Sequence, residues 1–295
     1  MSKRYPIIAI TGSSGAGTTT VKCALENIFQ RIGATAAFVE GDSFHRYDRK
    51  EMKRQLKLAK KEGRNLSHFG PEGNHFDRQY ELFKSYGERG EGMFRHYIHS
   101  EEESIQYGQK PGSFTEWESL PVGTDLLFYE GLHGGVVTDE VNMIDEVELL
   151  IGVAPSINLE WIQKVDRDTR ERGYEHEDVV NTIYRRMYDY MHYILPQFDH
   201  THINFQRVPM VDTSNPLTGK AIPTADQSVV IIHFVKDRPS VEYKLQLKEL
   251  IEGASLSAFD NIVIPGGKMM YAMELILTEK ILTLMRCRDE LVECE

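Results

Sequence analysis

Short apolar segments alternate with amphipathic segments along most of this 295-residue chain. Residues 5–11 (YPIIAIT) are short, β-branched and followed by glycines, which is typical of a buried strand. Residues 19–32 have helical spacing and end before Gly33, a common helix stop. Strands that alternate with helices usually pair in parallel. The pattern therefore predicts an α/β fold with a mainly parallel sheet.

The remaining predicted elements follow the same alternation, apart from one irregular segment. Residues 63–123 are rich in Gly, His, Tyr and Glu, and we expect an insertion there with a short helix near 77–87. Because no Pro-, Gly- or Ser-rich linker divides the chain, we predict one domain, residues 1–295. Further strands are predicted at 35–40, 125–130, 148–153, 204–211 and 228–235, and further helices at 49–61, 158–172, 177–194, 241–251 and 268–288.

Composition excludes several classes of protein. No run approaches the roughly 18 consecutive apolar residues that a transmembrane helix needs. The first apolar run leads straight into a glycine loop, so we expect no signal peptide. Cys23, Cys287 and Cys294 have unrelated spacings and form neither a disulfide framework nor a paired metal motif. These features favour a cytoplasmic protein with no membrane partner.

The charge of the chain is unevenly distributed. A net charge of −11 makes general nucleic-acid binding unfavourable, because phosphates are neutralised by a basic surface. Nine Lys and Arg residues, but only three Asp and Glu residues, lie between positions 46 and 64. This run is either the solvated face of a helix or, in part, a surface for a phosphorylated substrate. In the second interpretation Arg49 and Lys53 contact the substrate.

A glycine-rich segment follows the first predicted strand and opens the first predicted helix, as a phosphate-binding loop requires. Backbone N–H groups of such a loop point at phosphate oxygens, and the helix N-terminus adds positive potential. Thr19 stands where a hydroxyl ligates Mg²⁺. The residues expected to contact ATP are Gly12, Ser13, Ser14, Gly15, Ala16, Gly17, Thr18, Thr19 and Thr20.

One position departs from the usual loop, which has a lysine where this chain has Thr18. The charge normally placed on the β- and γ-phosphates is therefore missing from the loop. Either another Lys or Arg supplies it, or the loop binds phosphate weakly and the chain is not a kinase.

Two acidic residues follow predicted strands. Asp42 comes after the second strand in GDSFHR (41–46), and Glu130 ends the third in EGLH (130–133). Functional residues of open parallel sheets lie at the carboxyl ends of strands. Asp42 either accepts the proton of an attacking hydroxyl or caps a turn. Glu130, paired with the loop, indicates a magnesium-site group.

A charged cluster lies in the predicted helix 158–172, where Lys164, Arg167, Asp168 and Arg172 share one face. These residues form either ordinary ion pairs or a lid, hinged at Gly173, whose cations replace the missing lysine.

The eleven histidines have no metal-ligand spacing. His45 is a candidate site residue because it neighbours Asp42 in the sequence. No site role is predicted for His68, His75, His96 and His99.

Ten segments of the chain together resemble the bacterial class of phosphoribulokinase. Because they span nearly the whole chain, the resemblance is more specific than a phosphate loop alone, and the loop of that family also lacks the lysine. The segments are GSSGAGTTT (12–20), EGDSFHR (40–46), FYEGLHGG (128–135), NLEWIQK with RD (158–168), RRM (185–187), PQF (196–198), NFQRVP (204–209), VDTSNP (211–216), IPTADQS (222–228) and IVIPGGK (262–268).

The resemblance implies a three-layer P-loop nucleotide-kinase-like fold, in which helices flank a mainly parallel sheet with a mixed edge. It also implies ATP-dependent phosphorylation of D-ribulose 5-phosphate at O1, giving ribulose 1,5-bisphosphate and ADP, with Mg²⁺ as cofactor. The implied assembly is a homo-oligomer built from dimers, up to an octamer.

Carried over by position, the resemblance assigns roles to the candidate residues. It makes Asp42 the general base, and we group Asp168, Arg167 and Lys164 with it as catalytic. The residues assigned to the metal are Thr19, Glu130 and Asp168. The residues assigned to the sugar phosphate are His45, Arg49, Lys53 and Arg172, and Lys164 also engages it. The residues assigned to regulation are Arg31, Arg185 and Arg186, of which the last two lie near a subunit interface. His233 and the region of Ala258 depart from the resemblance, which leads us to expect arginines there in members that respond to NADH and AMP.

Two alternatives stay open. In the first, the chain is a kinase of another sugar phosphate or of a small alcohol such as uridine or pantothenate. In the second, it is a nucleotide-binding regulatory protein without turnover. The basic segment 46–64 and the stripe at 164–172 favour a phosphorylated acceptor, and the intact acids Asp42, Glu130 and Asp168 favour turnover.

Overall fold

An eight-stranded mixed sheet forms the centre of the computed structural model, which describes residues 4–12, 18–236, 238–257 and 261–293. The order of its strands is β2-β5-β1-β6-β7-β8-β10-β9, and a separate two-stranded sheet joins β3 to β4. The strands are β1 (Ile7–Gly12), β2 (Ala36–Glu40), β3 (Met93–Phe94), β4 (Glu118–Ser119), β5 (Leu126–Gly131), β6 (Leu149–Pro155), β7 (Ile203–Pro209), β8 (Ser228–Phe234), β9 (Ser255–Leu256) and β10 (Asn261–Pro265).

The helices pack against both faces of the large sheet. They are α1 (Thr18–Ile32), α2 (Arg49–Glu62), α3 (Phe76–Arg89), α4 (Glu101–Tyr107), α5 (Ile157–Arg170), α6 (His176–Asp189), α7 (Val241–Leu250) and α8 (Met269–Glu293). None of the helices in the described ranges is long and apolar enough to cross a membrane.

Strand β1 shows why the structure has three layers. Every residue of this strand is buried, as expected for a central parallel strand covered on both faces. Successive side chains alternate between the faces: Ile8 and Ile10 pack in the core that includes α1 and α8, whereas Ile7 and Ala9 pack in the core that includes α3. The predicted α/β sandwich is confirmed, and residues of the irregular segment cover one of its faces.

Parallel pairing aligns the strand ends at one edge of the sheet. Strands β2, β5, β1, β6 and β7 are parallel, and β7, β8, β10 and β9 pair antiparallel. Glu130 of β5 is in register with Glu40 of β2 and with Ile10 of β1. The residues that follow β2 and β5 therefore lie near one another, at the same edge of the sheet where β1 ends.

Two predicted helices differ from expectation, and helix α4 and strands β3, β4, β9 and β10 were not predicted. The helix predicted to reach Arg172 ends at Arg170, and Gly173 follows with φ +67°, which is incompatible with further α-helix. The helix predicted to reach Ile194 changes from α to π geometry after Asp189. Strand β10 was not predicted, because its five residues carry little periodic signal until β8 provides a partner.

Candidate active site

The phosphate-loop segment lies between β1, which ends at Gly12, and α1, which begins at Thr18. The predicted strand–loop–helix context is therefore confirmed. Ser13, Ser14, Gly15, Ala16 and Gly17 lie outside the described residues, as do the side chains of Thr18, Thr19 and Thr20. Their contacts with ATP and magnesium stay predictions.

A four-residue 3₁₀ turn, Gly41–Phe44, follows β2 and carries Asp42. The turn lies directly against β5. A Cβ atom on Gly41 would be 2.6 Å from the Oη atom of Tyr129 and 3.0 Å from the Cα atom of Gly131. Only glycine allows the turn to approach β5 so closely. The approach brings Asp42 to the edge where β5 ends.

The Asp42 carboxylate contacts two histidines. Its Oδ1 atom lies 2.9 Å from Nε2 of His45, and its Oδ2 atom lies 3.5 Å from Nε2 of His99. Burial opposes ionisation, but the attraction and hydrogen bond of His45, with smaller contributions from His99 and His68, hold the pKa of Asp42 well below its usual range. The side chain is 37% exposed, so an ionised carboxylate is accessible to a substrate.

His45 is held in its protonated form by acceptors on both ring nitrogens. Its Nδ1 atom lies 2.8 Å from Oδ1 of Asn74. The amide nitrogen of Asn74 donates to the backbone oxygens of His68 and Gly70, so its Oδ1 is the acceptor. Burial opposes charge on His45, but Asp42 and Asn74 raise its pKa.

His68 is a site residue that the sequence pattern does not indicate. Its ring stacks on that of His45 at a centroid distance of 4.3 Å, and its Nδ1 atom is buried with no hydrogen-bond partner among the described residues. Burial, with the positive charges of His45 and Arg186, lowers its pKa. The only sequence signal for His68 and His99 was the abundance of histidine in an irregular segment.

Asp168 and the cations around it form a second group of charged side chains, the Asp168 group. The side chain of Asp168 is only 7% exposed. Lys164 donates to Oδ2 of Asp168, and Oδ1 lies 3.3 Å from Nε of Arg167 and 3.2 Å from Nη1 of Arg172. The predicted shared face is therefore confirmed, even though Arg172 lies beyond the end of α5. Burial and the nearby Arg186 lower the pKa of Lys164 to about 8, although Asp168 opposes the shift.

Helix α6 brings two more arginines to this group. The Arg186 guanidinium lies 5.2 Å from the ring centre of Phe69, and burial and Arg185 lower its pKa to about 10 while Asp168 opposes the shift. Arg185 donates to the backbone oxygen of Leu66. Both arginines therefore lie on the site side of α6, while their predicted regulatory role stays a prediction.

Arg49 and Arg172 connect the two groups through Tyr97. Burial raises the pKa of Tyr97. Arg49, which hydrogen-bonds its hydroxyl, and the nearby Arg172 oppose this shift in pKa, whereas Asp42 adds to it. Tyr97 was not predicted. Lys53 lies on α2 and is exposed, with no ion pair among the described residues. The structure thus brings together Arg49, Arg172 and Asp42, but leaves Lys53 at the periphery.

Glu130 lies half-buried at the end of β5 and lines a cavity of about 290 Å³ together with Lys22 and Glu40. No group of three or more His, Cys, Asp or Glu side chains in the described part of the chain is arranged as a metal site. Mg²⁺ in kinases is usually held by one or two carboxylates and the substrate phosphates. Glu130 fits that pattern, whereas both oxygens of Asp168 already face cations.

Arg31 belongs to a different part of the molecule. Its Nη1 atom lies 3.2 Å from Oε2 of Glu274, so it connects α1 to α8. His233, on β8, contacts Asn261 of β10 at 2.7 Å, and Ala258 lies outside the described residues. The structure does not bring Arg31 to the Asp42 or Asp168 groups.

A phosphate-loop motif after β1, together with an ionised carboxylate after β2 and a group of cations on α5 and α6, is typical of the P-loop kinase class. Comparison with known proteins agrees. Residues 7–214 match the model of the Phosphoribulokinase / Uridine kinase family, and the chain belongs to that family.

The similar proteins cover the chain almost completely. The chain is 56% identical over 289 residues to the chromosomal phosphoribulokinase of Cupriavidus necator, covering 98% of both chains. It is 50% identical over 285 residues to a probable phosphoribulokinase of Escherichia coli, covering 97% of this chain and 98% of that protein. The structure of phosphoribulokinase from Rhodobacter spheroides superposes with a TM-score of 0.89 at 46% identity, covering 98% of this chain and 100% of that one.

Proposed function

We propose that this chain transfers the γ-phosphoryl group of ATP to O1 of D-ribulose 5-phosphate, giving ribulose 1,5-bisphosphate and ADP. The observation that carries the proposal is the ionised, accessible Asp42 carboxylate, whose partner His45 lies within electrostatic range of Arg186 in the cation group of α5 and α6. The names of the similar proteins support this acceptor. In this proposal the whole chain acts as one kinase domain.

Asp42 acts as the general base in the proposed reaction. The acceptor O1 attacks the γ-phosphorus, the bond from that phosphorus to the bridging oxygen of ADP breaks, and the hydroxyl proton moves to Asp42. Because the transition state of phosphoryl transfer is loose, the nucleophile becomes acidic only late in the step. A carboxylate with a low pKa is therefore adequate, and its geometry matters more than its basicity.

The cations divide between the two substrates. Lys164 and Arg167 supply the positive charge that the loop lacks at Thr18, since charge on the transferring oxygens is the main stabilisation that such a site provides. His45, Arg49 and Arg172 bind the phosphate of the acceptor, with Lys53 at the outer end of the same surface. A protonated His45 suits this role because it adds a positive charge beside Asp42.

The proposed metal group is Thr19, Glu130 and Asp168. Mg²⁺ held there with the ATP phosphates supplies charge neutralisation to the transferring group. For Asp168 this requires that Lys164 or Arg172 turn toward phosphate oxygens. The same movement delivers those cations to the substrates.

We also infer a cytoplasmic homo-oligomer built from dimers, up to an octamer, in which Arg31, Arg185 and Arg186 transmit regulation. Support comes from the outer side of α6 and the turn that follows it, where large side chains are exposed at a spacing of three to four residues. These are Tyr184, Tyr188, Met191 and Leu195. A neighbouring subunit on this surface would be separated by the width of α6 from the half-buried arginines Arg185 and Arg186. Light scattering of the purified chain and of Tyr188→Glu tests the assembly.

The direct test of the proposed reaction is ADP release with ribulose 5-phosphate, uridine and pantothenate as separate acceptors. We expect turnover with the sugar phosphate and a KM for it far below those for the two neutral acceptors. A preference for uridine or pantothenate would assign a different acceptor. Tight Mg-ATP binding without turnover on any phosphorylated pentose would favour a regulatory protein.

A further inference from the structure

Arg95 lies outside the Asp42 and Asp168 groups, yet it contacts the turn that carries Asp42. It follows β3 in the irregular segment. Its Nε atom donates to the backbone oxygen of Ser43 at 2.9 Å, and its Nη2 atom donates to the backbone oxygen of His45 at 2.5 Å. In return, the Ser43 hydroxyl donates to the backbone oxygen of Arg95. Three hydrogen bonds therefore join Arg95 to one short turn.

The guanidinium of Arg95 is itself held by aromatic rings. It lies 3.6 Å from the ring centre of Phe114 and 4.6 Å from that of Trp117. The Trp117 ring in turn lies 5.9 Å from the ring of Phe44, the last residue of the turn. Stacking and a two-pronged donor are properties of arginine that lysine lacks.

The two carbonyls that Arg95 contacts flank the part of the chain on which the site depends. Asp42 precedes Ser43, and His45 supplies both the second carbonyl and the imidazole that meets Asp42 at 2.9 Å. The backbone N–H of His45 also donates to the backbone oxygen of Asp42 at 3.2 Å. A rotation of this turn would separate the carboxylate from the imidazole.

We propose that Arg95 is a positioning residue for phosphoryl transfer, which holds the turn so that Asp42 and His45 face the acceptor. The proposal rests on the proposed function of Asp42. Burial and Arg78 lower the pKa of Arg95 to about 10, so the side chain remains a full donor at neutral pH.

The test compares Arg95→Lys with Arg78→Lys. The Arg78 guanidinium also lies 4.6 Å from the Trp117 ring, but its contact is with the aromatic ring rather than with the Asp42 turn. For Arg95→Lys we expect kcat to fall by about a hundredfold, because small misplacements of reacting groups have effects of that size. The Kd for Mg-ATP should change less than twofold, and Arg78→Lys should keep kcat within twofold.

Two further readouts separate positioning from general stability. In Arg95→Lys the acid limb of the pH profile of kcat should move to higher pH, because a looser contact with His45 lets the pKa of Asp42 rise. The other titratable groups around Asp42 are His99, His68, Tyr97 and Tyr129. In Arg95→Ala, added guanidinium ion should restore part of kcat, while it should not restore Asp42→Asn.

The outcomes distinguish the two proposals. If Asp42→Asn loses turnover while Arg95→Lys keeps kcat and its pH profile, Arg95 has no positioning role. If Asp42→Asn keeps normal turnover, the proposed function of Asp42 fails instead. If circular dichroism shows that both Arg95 variants are unfolded, Arg95 is a structural residue and the proposal is overturned.

Discussion

Asp42 and His45, the residue that follows its 3₁₀ turn, are three residues apart, and their side chains meet at 2.9 Å, a contact that raises the pKa of His45. This pair combines an anion that can accept a proton with a cation that can bind phosphate. Because each charge stabilises the other, altering either residue changes the titration of its neighbour.

The first prediction concerns the pH dependence of activity in His45→Gln. The pKa of Asp42 is held below its usual range chiefly through His45, so removing the imidazole should raise it. A group with a depressed pKa loses its ionised form only as pH falls through that low value. The acid limb of kcat/KM should therefore move to higher pH in the variant. His75→Gln is the control, because His75 contacts Asp77 rather than Asp42; equal shifts in both variants would argue against the pair.

The second prediction is that Asp42→Asn lowers kcat by about 10²–10⁴-fold, the usual contribution of a positioned general base. Binding of Mg-ATP, measured by calorimetry, should persist because the turn remains intact. Asp77→Asn, at an exposed site of α3, should keep wild-type turnover. Near-normal kcat in Asp42→Asn would remove Asp42 from the mechanism.

Arg49→Ala should chiefly raise the KM for the sugar phosphate, because it removes a cation that acts in substrate binding. Arg49 and Lys53 are both exposed on α2, but Arg49 hydrogen-bonds Tyr97, which lies near Asp42. We therefore expect a larger change in KM for Arg49→Ala than for Lys53→Ala. Arg54→Ala is the matched control, since Arg54 pairs with Glu51 on the exposed surface of α2. An unchanged KM in Arg49→Ala would place Arg49 in the solvated face of the helix.

The segment that carries His68 is tied to α6 through Asp189. The carboxylate of Asp189 accepts hydrogen bonds from Ser67 and Asn65, each at 2.6 Å. Asp189→Ala leaves these partners without an acceptor and should lower the free energy of unfolding by about 2 kcal/mol. Urea denaturation measures the change, and Asp178→Ala, on the exposed first turn of α6, is the control. A loss no larger than in the control would contradict the importance of this tie.

Gly41 offers a test by a double-mutant cycle. A Cβ atom at this position would lie 2.6 Å from the Tyr129 hydroxyl, so Gly41→Ala should reduce stability by about 1–3 kcal/mol, as overpacking does. Tyr129→Phe removes the hydroxyl and should recover part of the loss in the double variant. Gly267→Ala, where the nearest atom would be 3.8 Å away, is the control. Strict additivity would mean that the hydroxyl is not the obstacle.

Elements with strong local patterns could be predicted from the sequence, and those that depend on distant partners could not. Strand β1 and helix α2 carry their own signals: a buried apolar run in β1, and in α2 an Asp48 cap and a final Gly63 at φ +67°. Strand β10 lacks such a signal. Its Ile262 and Ile264 become core residues only because β8 lies beside them.

The candidate site shows the same division. The cluster at 164–172 was predicted because helical spacing alone places Lys164 and Asp168 together. The sequence does not indicate His68, Tyr97 and His99, because they lie in an irregular segment. Without helical or strand periodicity, spacing along such a segment does not predict which side chains come together. Their positions follow from tertiary contacts such as the stack of His68 on His45.

The placement of segment 63–123 has a consequence for how such a kinase can diversify. The phosphate-loop motif lies between β1 and α1, whereas His68, Tyr97 and His99 all come from segment 63–123. The segment 63–123 thus shapes the surroundings of Asp42 and His45, while the residues proposed to bind the acceptor phosphate lie outside it. Exchange of this segment among family members would therefore change the environment of the proposed base while leaving the phosphate-loop motif and the proposed acceptor-binding cations in place.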